Sequence, residues 1–182
     1  GNNRIQRFSL DGRAEKQWGP GADLSDAWFS SGRPWYASGA KSGSGIGEFH
    51  NPLDVALIPT KEGPGFAVLD AKSRVQVFDA EGRPVVSWTL TTTKPARAGL
   101  GGDGYLVYLP KRKALLAIVQ NQARLHSLQS EELAAWTISD GAPRSVEADS
   151  KDNVLMGFST EVIQYHPEGF RHGTVIPSEQ IG

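Results

Sequence analysis

Apolar and polar residues alternate along this chain in short runs broken by Gly, Pro, Asp and Ser. Arg74-Val75-Gln76-Val77-Phe78 shows the pattern, with period two from Arg74 to Val77. Such alternation puts successive side chains on opposite faces and predicts half-buried β-strands. Ala114 to Val119 and Val85-Val86-Ser87-Trp88 are more continuously apolar, but each is of strand length and lies between turn signals. No window sustains a helical period, so the chain reads as all-β.

The runs recur in a fixed order. Third strands are predicted at Arg4 to Phe8, Arg74 to Phe78, Arg124 to Leu128 and Glu161 to Tyr165, aligned on the Arg that opens the first three. Fourth strands read Arg13 to Trp18, Arg83 to Leu90, Leu133 to Ile138 and Phe170 to Ile176. Between them stand Asp11-Gly12, Glu81-Gly82 and Glu168-Gly169, hairpin turns in which glycine takes the positive-φ position. The third copy has Glu131-Glu132 there, a degenerate turn. First strands are predicted at Leu53 to Ile58, Tyr105 to Leu109 and Ser145 to Ala148, and second strands at Phe66 to Leu69, Leu115 to Val119 and Val154 to Phe158.

The organisation predicted is a half-unit at 1–18, an insertion at 19–46, a unit at 47–90, a unit at 91–138 with an N-terminal loop, and a unit with a C-terminal tail at 139–182. The first interval, Arg4 to Arg74, exceeds the ~40–50 residues usual for such repeats, and the excess is the insertion. That segment is rich in Gly, Ser and Ala but carries Trp28, Phe29, Trp35 and Tyr36. Four clustered aromatics are costly to leave in water, which makes them candidate partner-binding residues.

Composition narrows the reading. The chain has 182 residues, a one-domain length, with 38% hydrophobic residues, 21 Gly and 11 Pro, as expected of loop-rich β structure. A net charge of -1 gives no global pull toward nucleic acid or an anionic membrane. With no cysteine, disulfides and Cys-ligated metal are excluded. No apolar run reaches the ~18–20 residues of a spanning helix.

Gly47-Glu48-Phe49-His50-Asn51-Pro52-Leu53-Asp54-Val55-Ala56-Leu57, followed by Ala67-Val68-Leu69-Asp70 and by Arg74 to Gly82, resembles one NHL repeat, a four-stranded β-propeller blade. Gly1-Asn2-Asn3-Arg4-Ile5-Gln6-Arg7-Phe8 resembles the middle of another. The resemblance implies an NHL-type propeller segment of about three and a half blades. It also implies a strand pair upstream of Gly1 and two open sheet faces, each hydrophobic where a neighbouring blade packs. Propellers close with ~4–8 blades, so further blades or a protein partner are expected to complete the ring.

In such propellers the residues opening each first strand line the central channel, which nominates Asp54, Tyr105 and Arg144. Asp54 stands where the repeat often has Gly, and Arg144 is a conceivable ion-pair partner across the axis. A channel metal needs convergent His, Asp or Glu, and one carboxylate does not supply them, so neither catalytic residue, metal nor cofactor is predicted. The four histidines, His50, His126, His166 and His172, are scattered. Gly39 to Gly47 lacks the Lys-Ser/Thr and the helix of a phosphate loop, and no nucleophile elbow is present. Lys111-Arg112-Lys113 is the lone basic run, without interleaved aromatics, and nucleic acid is not favoured as a ligand. Arg4, Arg74 and Arg124 read as structural, with Asp70 a natural partner.

The family is known mostly for binding proteins or RNA, with a branch of amidating lyases. The reading favoured is a non-catalytic scaffold or protein-binding module, a subunit or fragment of a larger assembly. A metal-dependent lyase or lactonase-like enzyme is the alternative, and RNA binding through the basic loop the third. An extracytoplasmic location is preferred, on the lack of cysteine and the frequency of exported propellers in the family.

Overall fold

The computed structural model describes residues 3–18, 42–92 and 104–176. These form two units, 1–52 and 53–182. In the first, β1 (Ile5–Phe8) and β2 (Ala14–Trp18) form an antiparallel hairpin. Further along this unit, the Glu48 carboxylate accepts the Gly45 N–H at 2.8 Å, and Asn3 Oδ1 accepts the Asn51 N–H at 2.6 Å. Phe49 is fully buried.

The second unit holds three four-stranded antiparallel sheets, each in sequence order, which is the architecture of a partial β-propeller. The first blade comprises β3 (Pro52–Thr60), β4 (Gly63–Asp70), β5 (Arg74–Phe78) and β6 (Pro84–Thr89). The second comprises β7 (Gly104–Leu109), β8 (Ala114–Val119), β9 (Gln122–Ser127) and β10 (Glu132–Thr137). The third comprises β11 (Ser145–Ala148), β12 (Val154–Gly157), β13 (Val162–Tyr165) and β14 (Arg171–Ile176). The predicted strands all form.

The second blade is sandwiched, and its sequence shows why. Leu115, Ala117 and Val119 of β8 project to one side, with Leu106, and join Ala56, Ile58, Ala67, Leu69, Val75 and Val77 of the first blade. Ala114, Leu116 and Ile118 project to the other side and join Val146, Val154, Met156, Ile163 and Tyr165 of the third. A strand buried on both faces needs no polar alternation, which accounts for the unbroken apolar run Ala114 to Val119. Gly104 permits close approach at the start of β7, since a Cβ there would lie 2.7 Å from Leu53 Cδ1 and 3.0 Å from Leu69 Cδ2.

The third blade departs from expectation. Its burial alternates strictly along β11, β12 and β13. The face turned from the second blade carries Ser145, Glu147, Gly157 and Gln164, with Leu155 and Val162 the apolar members in register with them. It is a mixed face rather than a uniformly hydrophobic one, because β11 to β13 place most of their apolar residues on the blade-two side.

The repeat is also displaced by two residues in the second blade relative to the Arg-based alignment. Leu90 N–H donates to Ser73 O, and Ile138 N–H to Asn121 O. Val75 pairs with Trp88, and Ala123 with Trp136. Gln122 therefore stands where Arg74 does, and Arg124 where Gln76 does. The β9–β10 turn is correspondingly Ser127 to Glu131, with Ser130 at φ 75 in place of glycine. It is not degenerate. Ser127 Oγ accepts the Glu131 N–H at 3.1 Å, as Asp79 Oδ1 accepts that of Arg83 at 2.8 Å and Ser9 Oγ that of Arg13 at 3.1 Å. Every sheet then bulges at the same place on its last strand, at Glu15, Val85, Leu133 and His172.

Candidate functional site

The first strands β3, β7 and β11 converge on a cleft of about 410 Å³, lined by residues 54–57, 106–108, 110 and 146–150. β3, β7 and β11 are the first strands of their blades. Asp54 lies in it, and its carboxylate bridges two blades. Oδ1 accepts the N–H of Val55 and Oδ2 that of Leu106, both at 2.8 Å. Burial pushes the Asp54 pKa up from its ordinary 3.8, against the pull of those two N–H groups.

Of the other channel candidates, Tyr105 packs against the apolar cluster shared by the second and third blades and does not line the cleft. The aromatic residue that does is Tyr108, whose hydroxyl pKa is raised, first by burial and then by the nearby Asp152 charge. Arg144 is exposed, with its backbone N–H donating to Gly157 O at 2.7 Å, and is likewise off the lining. The Asp54 carboxylate faces main-chain amides, and no ion pair joins it to Arg144 among the described residues.

The cleft carries two more carboxylates. Asp149 opens the β11–β12 turn and is engaged by it, accepting the N–H groups of Lys151 and Asn153 at 2.8 and 2.9 Å and the Asn153 amide at 2.8 Å. The Asn153 contacts hold its pKa below the ordinary value. Glu147 is exposed. No group of three His, Cys, Asp or Glu side chains is placed to hold a metal ion among the described residues.

The basic run forms the β7–β8 turn, and its geometry is structural. Asp152, buried in the third blade's β11–β12 turn, accepts the backbone N–H groups of Lys111 at 3.0 Å and Arg112 at 2.9 Å. Arg112 Nη2 lies 3.0 Å from Glu168 Oε1. Lys113 is exposed at φ 50. Asp152 is the residue that sequence reasoning missed: its partners are remote in sequence, and no local pattern announces them.

Elsewhere, Arg74 and Asp70 make the expected pair, buried, with Nε and Nη2 at 3.0 and 2.7 Å from Oδ2. Arg124 reaches Glu132 at 3.6 Å. His126 lies at the seam between the first and second blades, 5.4 Å from the Trp88 ring, with its pKa lowered by burial. The Tyr165 hydroxyl donates to Asp140, and burial together with that bond pushes its pKa up to about 12. Trp28, Phe29, Trp35 and Tyr36 lie outside the described residues, and no helix among the described residues is long and apolar enough to cross a membrane.

No family profile and no curated protein matches the sequence. Among solved structures the fold is similar to that of U3-55K, a WD40 β-propeller protein. The TM-score is 0.61 and the identity 13% over 96% of this chain, and the chain spans 48% of that protein. The fold is a β-propeller one.

Proposed function

We propose that the chain is a non-catalytic protein-binding scaffold, an NHL-type propeller segment that works as part of a larger assembly, with Trp28, Phe29, Trp35 and Tyr36 contributing partner contacts. The observation that carries this reading is the use made of the polar groups where the blades meet. Asp54 and Asp152 accept main-chain N–H groups of the second blade from the blades on either side. A general acid or base needs a carboxylate in reach of substrate protons, whereas these are turned to fastening the frame. What the arrangement offers a partner is a rigid body with apolar anchors in a cleft. The lyase or lactonase-like alternative rests on Asp54 alone among the described residues. The RNA reading rests on a turn whose amides are held by Asp152 and whose Arg112 is held by Glu168. The extracytoplasmic location rests on the lack of cysteine and on the resemblance.

A photo-crosslinking amino acid placed at Trp35 or at Leu57 in the expressed chain tests the reading. Discrete crosslinks to one protein from either position are expected, and their loss when Trp28, Phe29, Trp35 and Tyr36 become Ser supports the aromatic contacts. A chain that crosslinks from neither position, or turnover abolished by Asp54→Ala, refutes the scaffold.

A further inference from the structure

We propose that His126 is an acid-sensitive latch between the first and second blades: as a neutral ring it closes the outer part of their seam, and its protonation loosens one blade from the other. The repeat shows what the position is for. The turn after each third strand is opened by an N–H that donates to the carbonyl four positions on, from Ser9 to Arg13, Asp79 to Arg83, Ser127 to Glu131 and His166 to Phe170. The residues just before these are Phe8, Phe78, His126 and Tyr165. All four are rings, and of the four only the imidazole gains a proton near neutrality. Tyr165 packs into the seam with the second blade, as His126 packs into the seam with the first.

The surroundings favour the neutral ring. His126 is 5% exposed, and its imidazole lies 5.4 Å from the Trp88 ring of the first blade. Within its own blade, Nε2 is 3.8 Å from Glu132 Oε2, while Glu132 Oε1 lies 3.6 Å from Arg124 Nη1. Glu132 is therefore shared with a group that is always charged. Burial is the chief opponent of protonation, and the Arg124 charge adds to it. Glu132 and the Arg124 carbonyl pull the other way without overcoming burial. The other strands against the ring bring no titratable group: β8 beside it in the sheet and β6 across the seam hold none. Arg74 and Asp70 pair on the face of the first blade turned from this seam. Trp88 Nε1 and Arg124 Nε are buried without a hydrogen-bond partner among the described residues. Both are donors, so a protonated ring finds no acceptor in them.

The loosening falls on the outer strands, because at the inner end the Asp54 carboxylate fastens the same seam through the Leu106 N–H. The Glu132 side chain is half-exposed, which gives protons a short route from the rim to Nε2. With the folded pKa below the ordinary 6.5, the contribution of the neutral ring is fully present above 6.5 and is lost as pH falls through the folded value.

The test compares the unmodified chain with His126→Phe, which installs the ring that Phe78 supplies in the first blade, and with His126→Gln, which is polar and does not titrate. Circular dichroism verifies that the variants fold, and either one serves if the other does not. In urea denaturation, the folding constant of the unmodified chain is expected to fall about 5- to 30-fold relative to the variants between about pH 7.5 and about pH 5. Hydrogen exchange, corrected for the intrinsic rate at each pH, locates the change. Protection is expected to drop in acid in β5–β6 and β9–β10 of the unmodified chain, to hold in β12–β13, and to hold throughout in the variants. Equal acid sensitivity of the unmodified chain and the variants, or a relative gain of stability in acid, overturns the proposal. So does a loss of protection spread evenly over the three blades, which is what a buried histidine without a latching role gives.

Discussion

Replacing Asp152 removes a polar fastening between the second and third blades, and the cost can be worked from its geometry. The carboxylate accepts two backbone N–H groups, at 3.0 and 2.9 Å. Hydrogen bonds to a charged group contribute about 1.5–3 kcal/mol each, but Lys111 and Arg112 are exposed, and water takes over part of the role. The two bonds are therefore worth about 2–4 kcal/mol together. Asp152 also sits at φ 68, where Asp and Asn are tolerated and Ala pays roughly 1 kcal/mol more. Asp152→Ala is thus expected to lose about 3–5 kcal/mol, Asp152→Gly about 2–4 because the backbone term vanishes, and Asp152→Asn about 1–2 because one acceptor survives. At ~2–4 °C per kcal/mol for a chain of this size, the Ala variant melts roughly 10 °C lower. Urea denaturation followed by tryptophan fluorescence measures the series. Glu168→Gln is the control, since its pair with Arg112 is 35% and 47% exposed and is worth ~0–1 kcal/mol. The reasoning fails if Ala costs no more than Asn, or if all three variants stay within ~0.5 kcal/mol of the unmodified chain, as ordinary surface changes do.

Gly169→Ala should destabilise by more than the ~1 kcal/mol of backbone strain at φ 93, since the new Cβ would lie 2.6 Å from Trp136 Cγ; a melting temperature within error of the unmodified chain would refute that packing. Leu116→Ala, at a fully buried position of the second blade, is expected to cost about 2–5 kcal/mol in urea denaturation, and a value under ~1 would mean the blade-two seam is loosely packed. Acid acts in opposite senses on two carboxylates of the cleft. Asp149, with its pKa lowered chiefly by Asn153, stabilises above 3.8 and loses that contribution as pH falls through its folded value. Asp54, with its pKa raised by burial, contributes stability that is fully present below 3.8 and is lost as pH rises through its folded value. The stability of the unmodified chain relative to Asp54→Asn is therefore expected to be greater at about pH 3.5 than at about pH 6, measured by urea titration at both; an unchanged or reversed difference would refute the assigned shift.

Strands were legible because each carries its own signal. Alternation marks β5, the turn glycines Gly12 and Gly169 close β1 and β13, and an apolar run of strand length marks β8. What escaped was whatever depends on a residue acting out of type or far away. Ser130 and Gln120 take positive φ without glycine, so the second blade's turns were invisible and the Arg at 124 set a false register. A better anchor was present: Trp88-Thr89-Leu90 and Trp136-Thr137-Ile138 share their pattern and their pairing. Asp54 was legible as a residue at the opening of a first strand, and it lines the cleft, but Tyr105 and Tyr108 are equally plausible from sequence. Which of two aromatics on one strand meets the cleft is decided by blade twist and by the neighbouring sheet. Asp152 was illegible for the same reason, since its partners belong to another blade.

Asp54 is where structural and catalytic readings compete most directly. A carboxyl with a raised pKa in a cleft is ordinarily a functional candidate. Here the rise comes from burial, and the same atoms hold the edge of the next blade. A group kept for proton transfer would gain from leaving an oxygen free toward the cleft. One kept as a fastening gains from pointing both at amides, and bears the desolvation as its cost. Asp152 follows the second pattern at the opposite seam and is not among the residues lining the cleft. Two carboxylates that reach the second blade from either side in the same manner are more simply accounted for by assembly than by chemistry. On that account Asp54→Asn lowers stability in urea denaturation through the Leu106 N–H. A variant as stable as the unmodified chain would put Asp54 back among the catalytic candidates.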